Sequence, residues 1–201
     1  MTTSEATALF GGAFDPPHNG HVALLQAARA ELGVGSAVVI VAASPGHKAV
    51  ATPAGVRLEL ARAAFPREDV RLDEHARTID MLRDHPEWEG TTFLLGADEF
   101  VDFPGWKEPE AVLELVQVGV ATRPGFERTR LDAVLESLER PDRVAFFDLA
   151  PFPIASRELR ARLNRGDDVS RLVPRAVWES IERDGLYGRG EPPPHGYTEP
   201  S

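Results

Sequence analysis

Cysteine is absent from the 201 residues, which excludes disulfides and thiolate metal sites and fits a reducing compartment. Positive charge is the scarcer sign. Against 32 Asp and Glu stand 22 Lys and Arg, a formal net charge of −10. Proteins that hold nucleic acid generally present broad basic surfaces, so no nucleic-acid partner is expected. Long apolar runs are missing too. The longest, near residues 37–43 and 111–122, fall far short of the roughly 20 residues that span a bilayer. The N-terminus lacks the basic-then-apolar order of a secretion signal. A cytoplasmic protein without a membrane partner is therefore expected. No Walker loop, Gly-x-Gly-x-x-Gly fingerprint or Gly-x-Ser-x-Gly elbow occurs, so other phosphate and hydrolase sites have no support. With no internal repeat and no interdomain linker, the length suits one compact domain over residues 1–187. The remaining stretch, 188–201, has the Gly- and Pro-rich composition of a disordered tail.

The informative stretch is Gly11-Gly12-Ala13-Phe14-Asp15-Pro16-Pro17-His18-Asn19-Gly20-His21. A short apolar strand runs into a Gly-Gly turn, and a helix begins at about Gly20. Glycines without Cβ let a phosphate approach the backbone, and the open N–H groups of a helix start favour an anion. His18 and His21, three residues apart, share one helix face and can both donate to phosphoryl oxygens. Taken alone, a His-x-x-His pair is more often a surface pair or a metal fragment. The strand, glycines, Phe-Asp-Pro and helix onset together point instead to a nucleotide-binding loop.

Around it, apolar β-branched runs alternate with helical patterns. Strands are predicted at Thr7–Phe10, Ala37–Ala43, Val70–Leu72, Thr92–Leu95, Val116–Ala121 and Val144–Phe147. Helices are predicted at His21–Leu32, Ala54–Phe65, Thr78–Arg83, Pro109–Leu115, Thr129–Leu138, Ser156–Asn164 and Pro174–Asp184, with Ser156 as an N-cap. Such alternation gives an α/β, Rossmann-like, doubly wound and mostly parallel sheet with helices on both faces. Ligands then bind beyond the carboxyl ends of the strands, and the histidine loop follows the first of them.

The pattern Gly-Gly-x-Phe-Asp-Pro-x-His-x-Gly-His resembles the signature of the nucleotidyltransferases with a His-x-Gly-His motif. Later segments occur in the order one branch would require. They are His47-Lys48, Gly96-Ala97-Asp98 with Trp106, Arg123-Pro124-Gly125, Ile154 to Arg160, and Asp184-Gly185-Leu186-Tyr187. Residues 7 to 187 thus look like a bacterial nicotinate-nucleotide adenylyltransferase. The resemblance implies a transferase of NAD biosynthesis whose partners are ATP and nicotinate mononucleotide. It also implies Mg²⁺ carried on the ATP phosphates rather than in a protein cage. Many enzymes of this kind self-associate, so a homo-oligomer is compatible with it.

The resemblance implies site residues as well. His18, His21, Lys48 and Arg160 are the candidate catalytic set. Gly11, Gly12, Phe14, Gly96, Asp98, Ser156 and Arg157 join His18, His21 and Arg160 around ATP. Ala13, Lys48, Arg77, Thr78, Trp106 and Arg123 are assigned to the nicotinate nucleotide. No protein metal ligand is expected. On their own chemistry several of these have plainer readings. Lys48 is otherwise a solvated loop lysine, Asp98 a helix N-cap, Trp106 a core residue, and Arg57 and Arg123 phosphate ligands or surface ion pairs. Trp88 and Trp178 are read as packing, and His75, His85 and His195 as solvated.

Three departures from the family pattern stand out. Ala155 and Arg157 replace members of an Ile-Ser-Ser-Thr motif, Gly46 loosens a Pro-Pro-His-Lys loop, and Ala76-Arg77-Thr78 stands for Ser-Tyr-Thr. They keep alternatives open: a relative acting on another phosphorylated acceptor (phosphopantetheine or nicotinamide mononucleotide), or a non-catalytic nucleotide sensor.

Overall fold

The structure is a computed structural model that describes residues 6–46, 50–152 and 155–188. Six strands form the sheet: β1 (Ala6–Gly12), β2 (Val34–Ala42), β3 (Asp69–Asp73), β4 (Thr92–Gly96), β5 (Gln117–Thr122) and β6 (Val144–Asp148). Their order is β3-β2-β1-β4-β5-β6. The β1–β4, β4–β5 and β5–β6 pairs are parallel, with Ala8 opposite Thr92 and Leu94 opposite Gly119. The chain winds outward from β1 in one direction and from β4 in the other, which is the doubly wound topology expected. Ala37–Val41 of β2 are at most 8% exposed, as a strand covered on both faces requires.

Eight α-helices occur among the described residues: α1 (Asn19–Leu32), α2 (Ala54–Ala64), α3 (Thr78–Asp84), α4 (Ala97–Val101), α5 (Pro109–Leu115), α6 (Arg128–Ser137), α7 (Ser156–Arg165) and α8 (Arg175–Arg183). Seven match the sequence reading within a few residues. The five-residue α4 is not among the predicted helices, although the N-cap reading of Asp98 implies a helix start there; the cap is Gly96. Asp98 and Glu99 occupy its first turn, where carboxylates suit the helix dipole.

The chain divides into two compact units. One comprises Met1–Gly11, Ala23–Val38 and His75–Pro151; the other Gly12–Val22, Val39–Glu74 and Phe152–Ser201. In the first, α3 packs with α5 and α4 with α6, around Leu94, Phe100, Phe103, Leu113 and Leu131, each under 2% exposed. In the second, α2 packs with α8. Val56, Leu60 and Ala61 of α2 and Val177 and Ile181 of α8 recur at helical spacing and are buried. No helix among the described residues is long and apolar enough to cross a membrane.

Candidate active site

The second unit contains the histidine loop. Phe14 adopts a left-handed backbone (φ 50°), unusual for a bulky residue. Its ring is 1% exposed and meets His21 and Phe65 edge-on, at 5.1 and 5.8 Å between centroids. A Cβ on Gly12 would lie 3.0 Å from that ring. Phe14 was assigned to ATP. The structure instead puts its ring beneath His21, as a prop for the imidazole. The Asp15–Pro16 peptide is cis. Helix α1 then starts at Asn19, whose N–H and side-chain Nδ2 donate to the carbonyls of Leu172 and Arg171.

The two imidazoles stack, with centroids 3.8 Å apart, and His18 is stacked at 5.3 Å on Phe152 as well. Both Nδ1 atoms accept backbone hydrogens at 3.1 Å, His18 from Gly20 N–H and His21 from His18 N–H. An accepting ring nitrogen carries no proton, so each neutral ring holds its proton on Nε2. Burial lowers the His18 pKa to about 4, so this ring is uncharged at neutral pH. Gly20 cannot be replaced without movement. A Cβ there would sit 2.7 Å from Phe152 and 2.9 Å from His18 Nδ1.

Beneath the histidines lies a buried network built on Asp15, 1% exposed. Its Oδ1 accepts from the Thr52 hydroxyl at 2.7 Å and the Tyr187 hydroxyl at 2.8 Å, and its Oδ2 accepts from Ala51 N–H. Arg160, an expected phosphate ligand, donates from Nη1 to the Asp15 carbonyl at 2.6 Å and stands 3.5 Å from Oδ2. Ser156 was expected to cap α7. The cap is Ala155, and the Ser156 hydroxyl donates to the Pro16 carbonyl at 3.0 Å. Arg157 is exposed on the same helix.

Arg57 is neither a phosphate ligand nor a surface ion pair. It is 1% exposed and donates to four backbone carbonyls: Thr52 (3.2 Å), Ala13 (2.9 Å), Ala42 (2.7 Å) and Ala43 (2.7 Å). Burial lowers its pKa while Asp15 and Tyr187 oppose the shift. The Ala13 carbonyl, in a residue assigned to the nicotinate nucleotide, is thereby engaged. Sequence reasoning did not single out Asp15, Thr52 or Arg57 as the scaffold of the loop. Their partners lie up to 172 residues away, beyond any local spacing signal.

In the first unit, Gly11 lies under the Phe93 ring, 3.2 Å from where its Cβ would be. Gly96 caps α4 and donates to Glu99 Oε2 at 3.5 Å. Asp98 is in the first turn of α4, not at its cap, and is exposed and paired with Arg123 at 3.0 Å. Arg123 also lines a cavity of about 420 Å³ with Phe126, Arg128 and Asp148. Trp106 is half-buried against Phe103 and Phe93. Arg77 is exposed ahead of α3, which Thr78 begins. Trp88 is buried as expected. The expectation of solvated histidines needs correction: His75 bonds Asp84 at 2.9 Å, and His85 bonds Glu87 and stacks on Trp88. Each gains a carboxylate its neighbouring turn supplies. Lys48, with His47, Ile154, His195 and the tail from Arg189, lies outside the described residues.

Comparison with known proteins places the chain. The profile of the family described as cytidylyltransferase-like matches residues 9–169. A protein of Thermus thermophilus named "probable nicotinate-nucleotide adenylyltransferase" is 38% identical over 191 residues, 89% of this chain and 97% of that one. One of Rubrobacter xylanophilus with the same name is 32% identical over 193 residues, covering 89% and 90%. The fold is similar to that of Plasmodium falciparum nicotinic acid mononucleotide adenylyltransferase complexed with NaAD. There the TM-score is 0.73 at 18% identity, covering 91% of this chain and 97% of that one. The chain belongs to the nicotinate-nucleotide adenylyltransferase family of cytidylyltransferase-like proteins.

Proposed function

We propose that this protein joins nicotinate mononucleotide to the AMP part of ATP, in NAD biosynthesis. A 5′-phosphate oxygen of the mononucleotide attacks the α-phosphorus, the bond to the bridging oxygen breaks, and pyrophosphate leaves with that electron pair. The attacking oxygen is already ionised, so no general base is required. Catalysis reduces to positioning and to stabilising charge on the α-phosphate and the leaving group.

The observation that carries this reading is the pair of Nδ1 acceptors, His18 and His21, at the start of α1. Both rings present Nε2–H as the donor. A neutral donor pair at the positive end of a helix suits phosphoryl oxygens. Arg160 adds a cation beside the loop. Lys48, Ser156, Arg157, Asp98, Trp106 and Arg123 complete the proposed nucleotide contacts.

Mg²⁺ enters as part of the ATP substrate. Asp15, the carboxylate nearest the histidines in sequence, already accepts from Ala51, Thr52 and Tyr187. Among the described residues no cluster of three or more His, Asp or Glu suits a metal cage. In this reading the ion comes on the triphosphate, whose charge it shares with the histidine donors. A cytoplasmic location accords with such a reaction.

The test is pyrophosphate release with MgATP and a panel of acceptors: nicotinate mononucleotide, nicotinamide mononucleotide, phosphopantetheine and small phosphorylated alcohols. Release with nicotinate mononucleotide at the highest kcat/KM is the expected result. Release only with a non-pyridine acceptor, or none at all, overturns the reading.

A further inference from the structure

The segment Asp184-Gly185-Leu186-Tyr187 plays no part in the chemistry above, yet it is bound to the catalytic loop. It ends α8: the Gly185 and Leu186 N–H groups donate back to Glu182 and Ile181. Gly185 (φ 61°) and Tyr187 (φ 63°) are both left-handed. Glycine takes that conformation without cost, whereas a tyrosine holds it only where its surroundings over-determine it. What holds Tyr187 is Asp15, whose Oδ1 accepts the phenol O–H at 2.8 Å across 172 positions of sequence. The Thr52 hydroxyl is within 3.5 Å of the same phenol oxygen. Burial, and then the Asp15 carboxylate, push the phenol pKa well above its usual value, so the group stays a donor.

Asp15 lies in the histidine loop three residues before His18, whose own ring accepts from Gly20 N–H and whose N–H holds the His21 ring. Its carboxylate joins Thr52, Ala51 and the end of α8 to that loop, and Arg160 of α7 stands 3.5 Å from its Oδ2. We propose that Tyr187 is a positioning residue for adenylyl transfer: by donating to Asp15 it ties the end of α8 to the Phe14–His18 segment and so holds the histidine donors in place. The proposal rests on the adenylyl-transfer reading.

Removal of the phenol oxygen is a clean probe. Tyr187→Phe keeps the ring and its packing, and Asp15 retains Thr52, Ala51 and Arg160, so no buried charge is stranded. The loop alone loses a tether. Tyr187→Phe, Thr52→Val and the double variant are assayed for pyrophosphate release beside the wild type, with thermal melting of each. For Tyr187→Phe the expected result is a kcat about 10-fold lower, with a KM for the mononucleotide changed by less than about 3-fold and a nearly unchanged melting midpoint. The double variant loses more than the product of the two single losses, because each hydroxyl satisfies the shared oxygen when the other is gone. An unchanged kcat in Tyr187→Phe overturns the role, and so does a loss that merely follows the fraction unfolded. A wild type inactive with every acceptor overturns the adenylyl-transfer reading instead. The affinity for a non-hydrolysable ATP analogue, by calorimetry, then decides. A loss of about 5-fold in Tyr187→Phe sustains the positioning role, and equal affinity removes it.

Discussion

Arg57 donates to the carbonyl of Ala13 at 2.9 Å, so a helix side chain holds the backbone of the nucleotide loop from below. The same guanidinium takes the carbonyls of Ala42 and Ala43 at the end of β2 and of Thr52 before α2. Four carbonyls accept from this one buried fork. Arg57→Met strands them, and a loss of about 3–5 kcal/mol in folding stability follows. Arg57→Lys recovers little, since an ammonium cannot span four acceptors as a planar guanidinium does. Urea denaturation of both variants checks this; a Lys variant of wild-type stability removes the argument.

The stacked histidines make a sharper claim about activity. His21→Ala is expected to lower turnover by at least about 10²-fold with the fold retained, the scale of losing one preorganised donor to developing charge. His18→Ala behaves alike. Because His18 serves as a neutral donor, His18→Gln, which offers an amide N–H, is expected to outperform His18→Ala. Steady-state rates at pH 7.5 with circular dichroism of each variant decide it. Equal rates for Gln and Ala deny that a neutral donor suffices there.

Burial of His18 also sets a dependence of stability on pH. The unfolded chain takes up a proton below about pH 6.5, while the folded ring resists until about 4. Between those values the unfolded state binds more protons, so stability falls as pH falls, by up to about 3 kcal/mol. Above pH 6.5 the ring is neutral in both states and contributes no slope. In His18→Gln this part of the acid loss disappears. Chemical denaturation of both proteins at intervals from pH 4 to 8 measures it, and parallel curves would contradict the assignment.

Much of this architecture is visible in the residues themselves. The run Ala37 to Val41 announces a strand covered on both faces, and the alternation of such runs with Val56-x-x-x-Leu60-Ala61 patterns gives the doubly wound order. The histidine loop is legible because glycines, an Asp-Pro step and a helix start fall within eleven residues. What escaped reading is the scaffold beneath it. Arg57 looks like one more charged residue on an amphipathic helix, and only the tertiary meeting of Ala13, Ala42, Ala43 and Thr52 turns it inward. Tyr187 ends a recognisable motif, but its hydrogen bond to Asp15 crosses nearly the whole chain. His85 and Ser156 were misjudged for a related reason: each found a partner, Glu87 and the Pro16 carbonyl, that no periodicity specifies.

Arg77 carries the last prediction, one about specificity. Its position, just ahead of Thr78 at the start of α3, is where the family pattern has a tyrosine, and its guanidinium is exposed, with a 3.2 Å bond to the carbonyl of the preceding Ala76. Such a local bond to a neutral carbonyl is easily exchanged for a carboxylate, and a charge-assisted contact to the pyridine carboxylate is worth about 1.5–3 kcal/mol. The wild type is then expected to prefer the acid mononucleotide over the neutral amide by roughly 10- to 150-fold through this residue. Arg77→Ala lowers kcat/KM for the acid and leaves the amide nearly unaffected, because the amide has no charge to lose. Measuring kcat/KM for both acceptors in both proteins isolates the term. If the ratio is the same in Arg77→Ala as in the wild type, acid recognition resides elsewhere in the chain.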